Sequence, residues 1–185
     1  MSTTSELQEL LTSPARVVIV THFKPDADAL GSSLGLAGYL SQKGHQVRVI
    51  TPSDFPDFLS WMPGCNQVLA VVAHDASTQR QAEQLIDEAE IIFCLDFNGL
   101  GRIETLGDPV GKSSAVKIMV DHHLEPEPFA QYSVWEVRAA STAQLIYKLI
   151  NDLGDADLIN AYSQFANKEQ IDISLVVTGN ADVTV

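Results

Sequence analysis

Seven residues in three short segments are of types that could do chemistry together. The first segment, His22-Phe23-Lys24-Pro25-Asp26-Ala27-Asp28, holds an imidazole and two carboxylates. The second ends the apolar run 91–95 with Asp96, and the third, Asp121-His122-His123, ends the run 115–120. Carboxylates two residues apart repel each other unless they are solvated or a cation lies between them. One imidazole with two carboxylates suits a divalent cation that accepts nitrogen and oxygen ligands. This many carboxylates points to two ions rather than one. Two cations roughly 3.5–4 Å apart clamp a phosphoryl group and acidify water to near-neutral pKa. Oxygen-rich donors with some imidazole favour Mn²⁺, with Mg²⁺ and Co²⁺ also suited.

The elements needed to gather these residues are legible. Val17-Val18-Ile19-Val20 is a β-branched apolar run and reads as a buried strand. Pro25 ends regular pairing. Leu30, Leu34, Ala37 and Leu40 then recur at helical spacing up to about Lys43, where Gly44 ends the helix. Gln46 to Thr51 alternates as a second strand, 68–73 is a candidate third, and 79–89 is a helix with Leu85 and Ile86 turned inward. The runs 91–96 and 115–121 are further strands, each closing on Asp. A short helix over 4–12 would be capped by Ser5. The segment 52–64 is rich in proline and aromatics and reads as a loop or short helix, and 125–128 must be a loop. Ser141-Thr142-Ala143-Gln144 has the form of a capping box, so a helix runs from there to about Leu153. Alternating strands and helices imply an α/β fold: an open, mostly parallel sheet flanked by helices. In such a sheet the strand ends lie on one edge, which is where open α/β sheets place their ligands.

Composition narrows the partners. The chain has 185 residues, 45% of them hydrophobic, enough for one sizeable domain. Asp and Glu number 24 against 11 Lys and Arg, a formal charge of −13. Long nucleic-acid surfaces rest on many basic contacts, so this balance argues against one while leaving room for a short phosphate substrate held by metal. Cys65 and Cys94 fall in no paired motif, and Cys94 in Ile-Ile-Phe-Cys-Leu-Asp reads as a buried core thiol. The opening Met-Ser-Thr-Thr-Ser-Glu-Leu lacks a basic and then apolar signal pattern, and no apolar run approaches about 20 residues, so a cytoplasmic protein without membrane contact is expected.

Taken together, H-F-K-P-D-A-D-A-L-G-S-S, L-D-F-N-G-L-G-R and V-D-H-H-L resemble the first three motifs of the DHH phosphoesterases, and S-T-A-Q resembles the helix start that follows them. The resemblance covers about residues 10–160 and is nearest to the branch of short-oligoribonucleotide nucleases and phosphoadenosine-phosphate (pAp) phosphatases. It implies a Rossmann-like DHH domain over 1–160, in which His22, Asp26 and Asp96 hold one metal and Asp28, Asp96 and His122 hold a second. It also implies that His123 faces the scissile phosphate as donor or acid, and that Asp121 orients a metal-bound histidine. Arg102, six residues after Asp96, would offer a forked guanidinium to phosphate oxygens. Ser32 and Ser33, in the first turn of a helix, would either donate to an anion or cap the helix.

The sequence departs from the family pattern at Lys24 and Ala27, where Asn and Gly are frequent, and Lys24 points either to phosphate or to solvent. The family also expects a fourth motif about fifty residues after DHH with a metal-ligating Asp. Asp172 has the spacing, whereas Asp182 has the better neighbours. The segment 161–185 is atypical, and the usual second (DHHA1-type) domain is missing from this chain. The alternation of Ile171, Ile173, Leu175 and Val177 suits either an added edge strand or a homodimer contact.

The leading expectation is a Mn²⁺-dependent phosphoesterase acting on short oligonucleotides or pAp. The same chemistry on polyphosphate, pyrophosphate or a cyclic dinucleotide is the first alternative. A truncated metal- or nucleotide-binding module without turnover is the second. A dinucleotide-dependent oxidoreductase ranks last, because no G-x-G-x-x-G follows the first strand.

Overall fold

The fold is seen in a computed structural model, which describes residues 3–159. Strands β1 (Arg16–Thr21), β2 (Gln46–Thr51), β3 (Leu69–Ala70), β4 (Ile91–Leu95), β5 (Val116–Asp121) and β6 (Tyr132–Trp135) form one six-stranded sheet in the order β3-β2-β1-β4-β5-β6. Every pairing is parallel. The central strands are buried along nearly their whole length rather than on alternate residues. Helices cover both faces of a parallel sheet, so neither face can be polar.

One face packs Val17, Ile19, Ile91, Phe93, Ile118 and Val120 against helices α1 (Thr3–Leu10), α2 (Ala27–Gln42) and α5 (Thr142–Asp152). The other packs Val18, Val20, Ile92 and Cys94 against α3 (Ala76–Glu88) and the short α4 (Gly107–Lys112). Each fully buried large side chain contributes about 1.5–3 kcal/mol. Burial pushes the Cys94 thiol up to about 12, as expected of a core cysteine. Lys117, also buried on β5, spends its ammonium on the carbonyls of Ser113 at 2.7 Å and Ala115 at 3.3 Å.

Several boundaries differ from the sequence reading. Helix α1 begins at Thr3, so Ser5 lies within it rather than capping it. Asp26 caps α2, its Oδ1 accepting from the amides of Asp28 at 3.0 Å and Ala29 at 3.1 Å. Gly44, at φ +89°, carries the chain out of α2 as anticipated. Strand β3 is only two residues long, since its ladder reaches only Ile50 and Thr51 of β2. Strand β6 is not evident from the sequence: Tyr132 to Trp135 is half-buried and follows a proline-rich loop, yet pairs with Ile118 to Asp121. Ser141 caps α5 by accepting from Gln144 N, while Gln144 Oε1 accepts from Ala140 N at 2.7 Å, a reciprocal capping arrangement. Residues 160–185, which include Asp172, Asp182 and the alternating segment, lie outside the described residues.

Candidate metal centre

The strand order reverses between β1 and β4, so the loops after these strands diverge and leave a crevice at their carboxyl ends. His22 follows β1 directly and is 9% exposed. Its Nδ1 lies 2.9 Å from the carbonyl of Phe23. A carbonyl only accepts, so the proton sits on Nδ1 and Nε2 keeps a free lone pair. That Nε2 faces Asp96 Oδ2 at 3.5 Å and Asp26 Oδ1 at 4.0 Å. His122 repeats the device: its Nδ1 is 3.1 Å from the carbonyl of Ala139, and its Nε2 faces Asp96 Oδ1 at 3.6 Å and Asp28 Oδ2 at 3.8 Å.

Asp96 stands between the two histidines and presents one oxygen to each. It is 2% exposed and adopts φ +64°, a left-handed conformation rare for a residue with a side chain. Its amide donates to Val120 O at 3.0 Å, and its Oδ1 accepts from the Thr142 hydroxyl at 2.8 Å. Burial works against its charge, but bonding to His22 and Thr142, and the positive fields of His22 and His123 when those rings are protonated, hold the carboxyl below its ordinary value. His22 shows the counterpart: burial opposes protonation, yet Asp96, the Phe23 carbonyl and Asp26 raise its pKa overall.

Asp28 ties the centre to α5. Its two oxygens accept from the amides of Thr142 at 2.8 Å and Ala143 at 2.9 Å, at the N-terminus of that helix. Burial, and next the negative charge of Asp96, nevertheless raise its pKa above the usual carboxylate value. This is the repulsion that a cation between two carboxylates relieves.

His123 differs from the other two histidines. Its Nδ1 donates to Asp121 Oδ1 at 2.7 Å, and Asp121 is wholly buried with its second oxygen unpartnered among the described residues. The orienting carboxylate therefore serves His123, whereas the sequence reading attached it to a metal-bound histidine. Trp135, on the unanticipated β6, donates its indole N–H to the carbonyl of His123 at 2.7 Å.

The structure thus brings His22, Asp26, Asp28, Asp96, His122 and His123 to one edge. Ligand atoms of His22, Asp26 and Asp96 lie within 4.8 Å of one another, as do those of Asp96, His122 and His123. The donor set fits divalent cations: two imidazole nitrogens are freed by carbonyl partners, and the central carboxylate is shared. Arg102 approaches through its backbone, its carbonyl accepting from Phe23 N at 2.8 Å, while its side chain is exposed. Ser32 and Ser33 turn away from any anion. Both are buried and donate to Ala29 O, at 3.2 and 2.7 Å. The Lys24 ammonium lies 5.5 Å from the centroid of the Phe23 ring. Thr142 and the carbonyls of Phe23 and Ala139 were not singled out as site groups. Thr142 is visible only as the residue after a helix cap, and backbone carbonyls carry no sequence signal.

An open parallel sheet with a carboxylate–imidazole centre at its switch point defines the class, and the chain belongs to the DHH family, the model of whose N-terminal domain matches residues 16–179. Among characterised proteins it is similar to the bifunctional oligoribonuclease and PAP phosphatase NrnA of Thermus thermophilus, 31% identical over 138 residues, which are 75% of this chain and 37% of that protein. It is also similar to the cyclic-di-AMP phosphodiesterase PdeA of Listeria monocytogenes, 27% identical over 158 residues, which are 83% of this chain and 24% of that protein. Among solved structures, an exopolyphosphatase-related protein from Bacteroides fragilis superposes with a TM-score of 0.79 at 33% identity, covering 98% of this chain and 61% of that one. The chain therefore spans less than two fifths of the length of these two characterised relatives.

Proposed function

We propose that this domain carries the metal centre of a phosphoesterase acting on short oligonucleotides or pAp. The carrying observation is Asp96, one oxygen toward His22 and the other toward His122, a carboxylate placed to be shared by two cations. His22, Asp26 and Asp96 would hold one ion, and Asp28, Asp96 and His122 the other, with Mn²⁺ best suited to these donors. Held by these residues, such ions would supply charge to neutralise phosphoryl oxygens and to acidify water. His123, its Nδ1 held by Asp121, would in the imidazolium form give the Nε2 proton to the leaving oxygen and return to the neutral ring, with Asp121 stabilising the charged form. The guanidinium of Arg102 would meet phosphate oxygens. Support for the substrate class comes from NrnA, whose name records oligoribonuclease and PAP phosphatase activity. PdeA and the exopolyphosphatase-related structure supply the alternatives, a cyclic dinucleotide and polyphosphate. No helix among the described residues is long and apolar enough to cross a membrane.

The test is hydrolysis by the purified chain with Mn²⁺, using a dinucleotide, pAp and polyphosphate in parallel, with Asp26→Ala alongside. Turnover that disappears in the variant supports the reading, and the preferred substrate selects among the alternatives. Mn²⁺ binding without turnover on any of them would favour a binding module instead.

A further inference from the structure

The loop that carries His22 has a second side. Phe23 and Lys24, the next two residues, line a cleft of about 930 Å³ at the carboxyl ends of β1, β2 and β3, to which Glu104 and Thr105 from the segment after β4 also contribute. Val71, Val72 and Ala73, after β3, line it too. This is within the size of pockets that hold small ligands, roughly 300–1,000 Å³.

The walls are fixed rather than loose. Phe23 N donates to Arg102 O at 2.8 Å, and Lys24 N to Ser53 Oγ at 2.8 Å. Val72 N donates to Thr78 Oγ1 at 3.1 Å, and the Thr105 hydroxyl to Gln79 Oε1 at 2.7 Å. Lys24, His74 and Glu104, at φ +54°, +72° and +49°, all line this cleft. Side-chain-bearing residues persist in that conformation only where their surroundings over-determine it, and such positions cluster at ligand clamps.

The lining also selects an occupant. Phe23 is 39% exposed and Val72, which also lines the cleft, is 37% exposed. Four carboxylates, Asp54, Asp75, Glu83 and Glu104, share the cleft with the single ammonium of Lys24. A chain of phosphates is repelled by such a lining. A heteroaromatic base stacks on the ring, and its amino groups and ribose hydroxyls donate to carboxylates. The Lys24 ammonium, over the ring at 5.5 Å from its centroid, suits the one phosphate that joins a nucleoside stacked on the other face to the metal centre.

We propose that this cleft seats a nucleoside with its base on Phe23, next to the metal centre. The assignment deepens the phosphoesterase reading and rests on it for the reaction, though the cleft can be tested without turnover.

The experiment is chemical-shift mapping of the metal-free protein with adenosine and, separately, with inorganic tripolyphosphate. Adenosine is expected to give saturable shifts at residues 23–24, 52–54, 71–76 and 104–105, and tripolyphosphate none there. Phe23→Leu, which keeps apolar bulk but loses the π face, should weaken adenosine by about tenfold, on the order of one lost stack. Phe23→Trp should retain it. Val72→Arg, at a half-open position that tolerates a long side chain, should block the cleft, so the proposal stays testable if Phe23→Leu does not fold. No adenosine shifts at these residues, equal shifts with tripolyphosphate, or unchanged adenosine affinity in a folded Phe23→Leu or Val72→Arg protein would overturn it. Mn²⁺ line broadening at His22, Asp96 and His122 tests the metal reading separately. Its absence would sink the phosphoesterase and leave the adenosine result standing, whereas broadening without adenosine shifts would do the reverse.

Discussion

The hydroxyl of Thr142 donates to Oδ1 of Asp96 at 2.8 Å, and the amide of the same residue donates to Oδ2 of Asp28 at 2.8 Å. One residue at the start of α5 therefore holds two of the proposed metal ligands, one from the end of β4 and one from the first turn of α2. The helix and the centre position each other.

Asp96→Asn keeps the shape of the side chain but removes the shared charge. Mn²⁺ affinity, measured by calorimetry, should fall by more than the roughly 10–100-fold typical of losing an outer partner. Full binding in the variant would remove Asp96 from between the ions.

His123→Ala should fold and bind Mn²⁺ as the parent does while losing hydrolysis by about 10²–10⁴-fold, the usual worth of a positioned acid or base. Asp121→Asn should lower the rate in the same direction and change its pH profile, because the imidazole loses the carboxylate that fixes its proton on Nδ1. Coincident loss of metal and rate in His123→Ala would instead make His123 a ligand, as its place beside Asp96 and His122 permits.

Removing Asp28 should act on a helix as well as on metal. In metal-free Asp28→Ala, the amides of Thr142 and Ala143 lose their acceptors, and their hydrogen exchange should accelerate relative to the rest of α5. Unchanged protection at both amides would show that the carboxylate does not support the helix.

Asp155 supplies a pH dependence far from the centre. Burial works against its charge, but Lys43 at 2.6 Å and the Tyr39 hydroxyl hold its carboxyl below the usual 3.8. A depressed carboxylate stabilises the fold above its unfolded value, and that contribution is lost as pH falls through the folded value. Asp155→Asn should therefore cost about 1 kcal/mol at neutral pH in denaturant melts, with the gap to the parent closing in strong acid. A gap independent of pH would remove the ion pair as its cause.

The central strands were legible because a parallel sheet buried on both faces demands continuous apolar runs, which 17–20 and 91–95 supply. The centre was legible because each of those runs ends in a residue with a ligand atom. Strand β6 was hidden because an edge strand needs only half its residues buried and can be as polar as Tyr-Ser-Val-Trp. Ser32 and Ser33 misled for a local reason: a hydroxyl in a helix can turn back on the carbonyl one turn earlier, and both positions are buried. The pairing of Asp121 with His123 rather than His122 depends on how the chain bends after β5. Strand β5 ends at Asp121, so both histidines lie beyond the regular alternation that would put 121 and 123 on one face.

The all-parallel sheet also dictates when the site can come into being. Val17 of β1 finds its partners at Val47 and at Ile91, so the first strand waits for distant segments before it is held on both sides. Non-local pairings of this kind slow folding and prolong the exposure of unpaired edges. During synthesis, a chain that has emerged only as far as β3 has made His22, Asp26 and Asp28 but not Asp96 or His122. Its acidic loop then holds three of the proposed ligands without a centre: the first proposed site needs Asp96 after β4, and the second needs His122 after β5 as well. Metal should accordingly favour the last stage of assembly, slowing unfolding of the finished domain more than it speeds the early collapse.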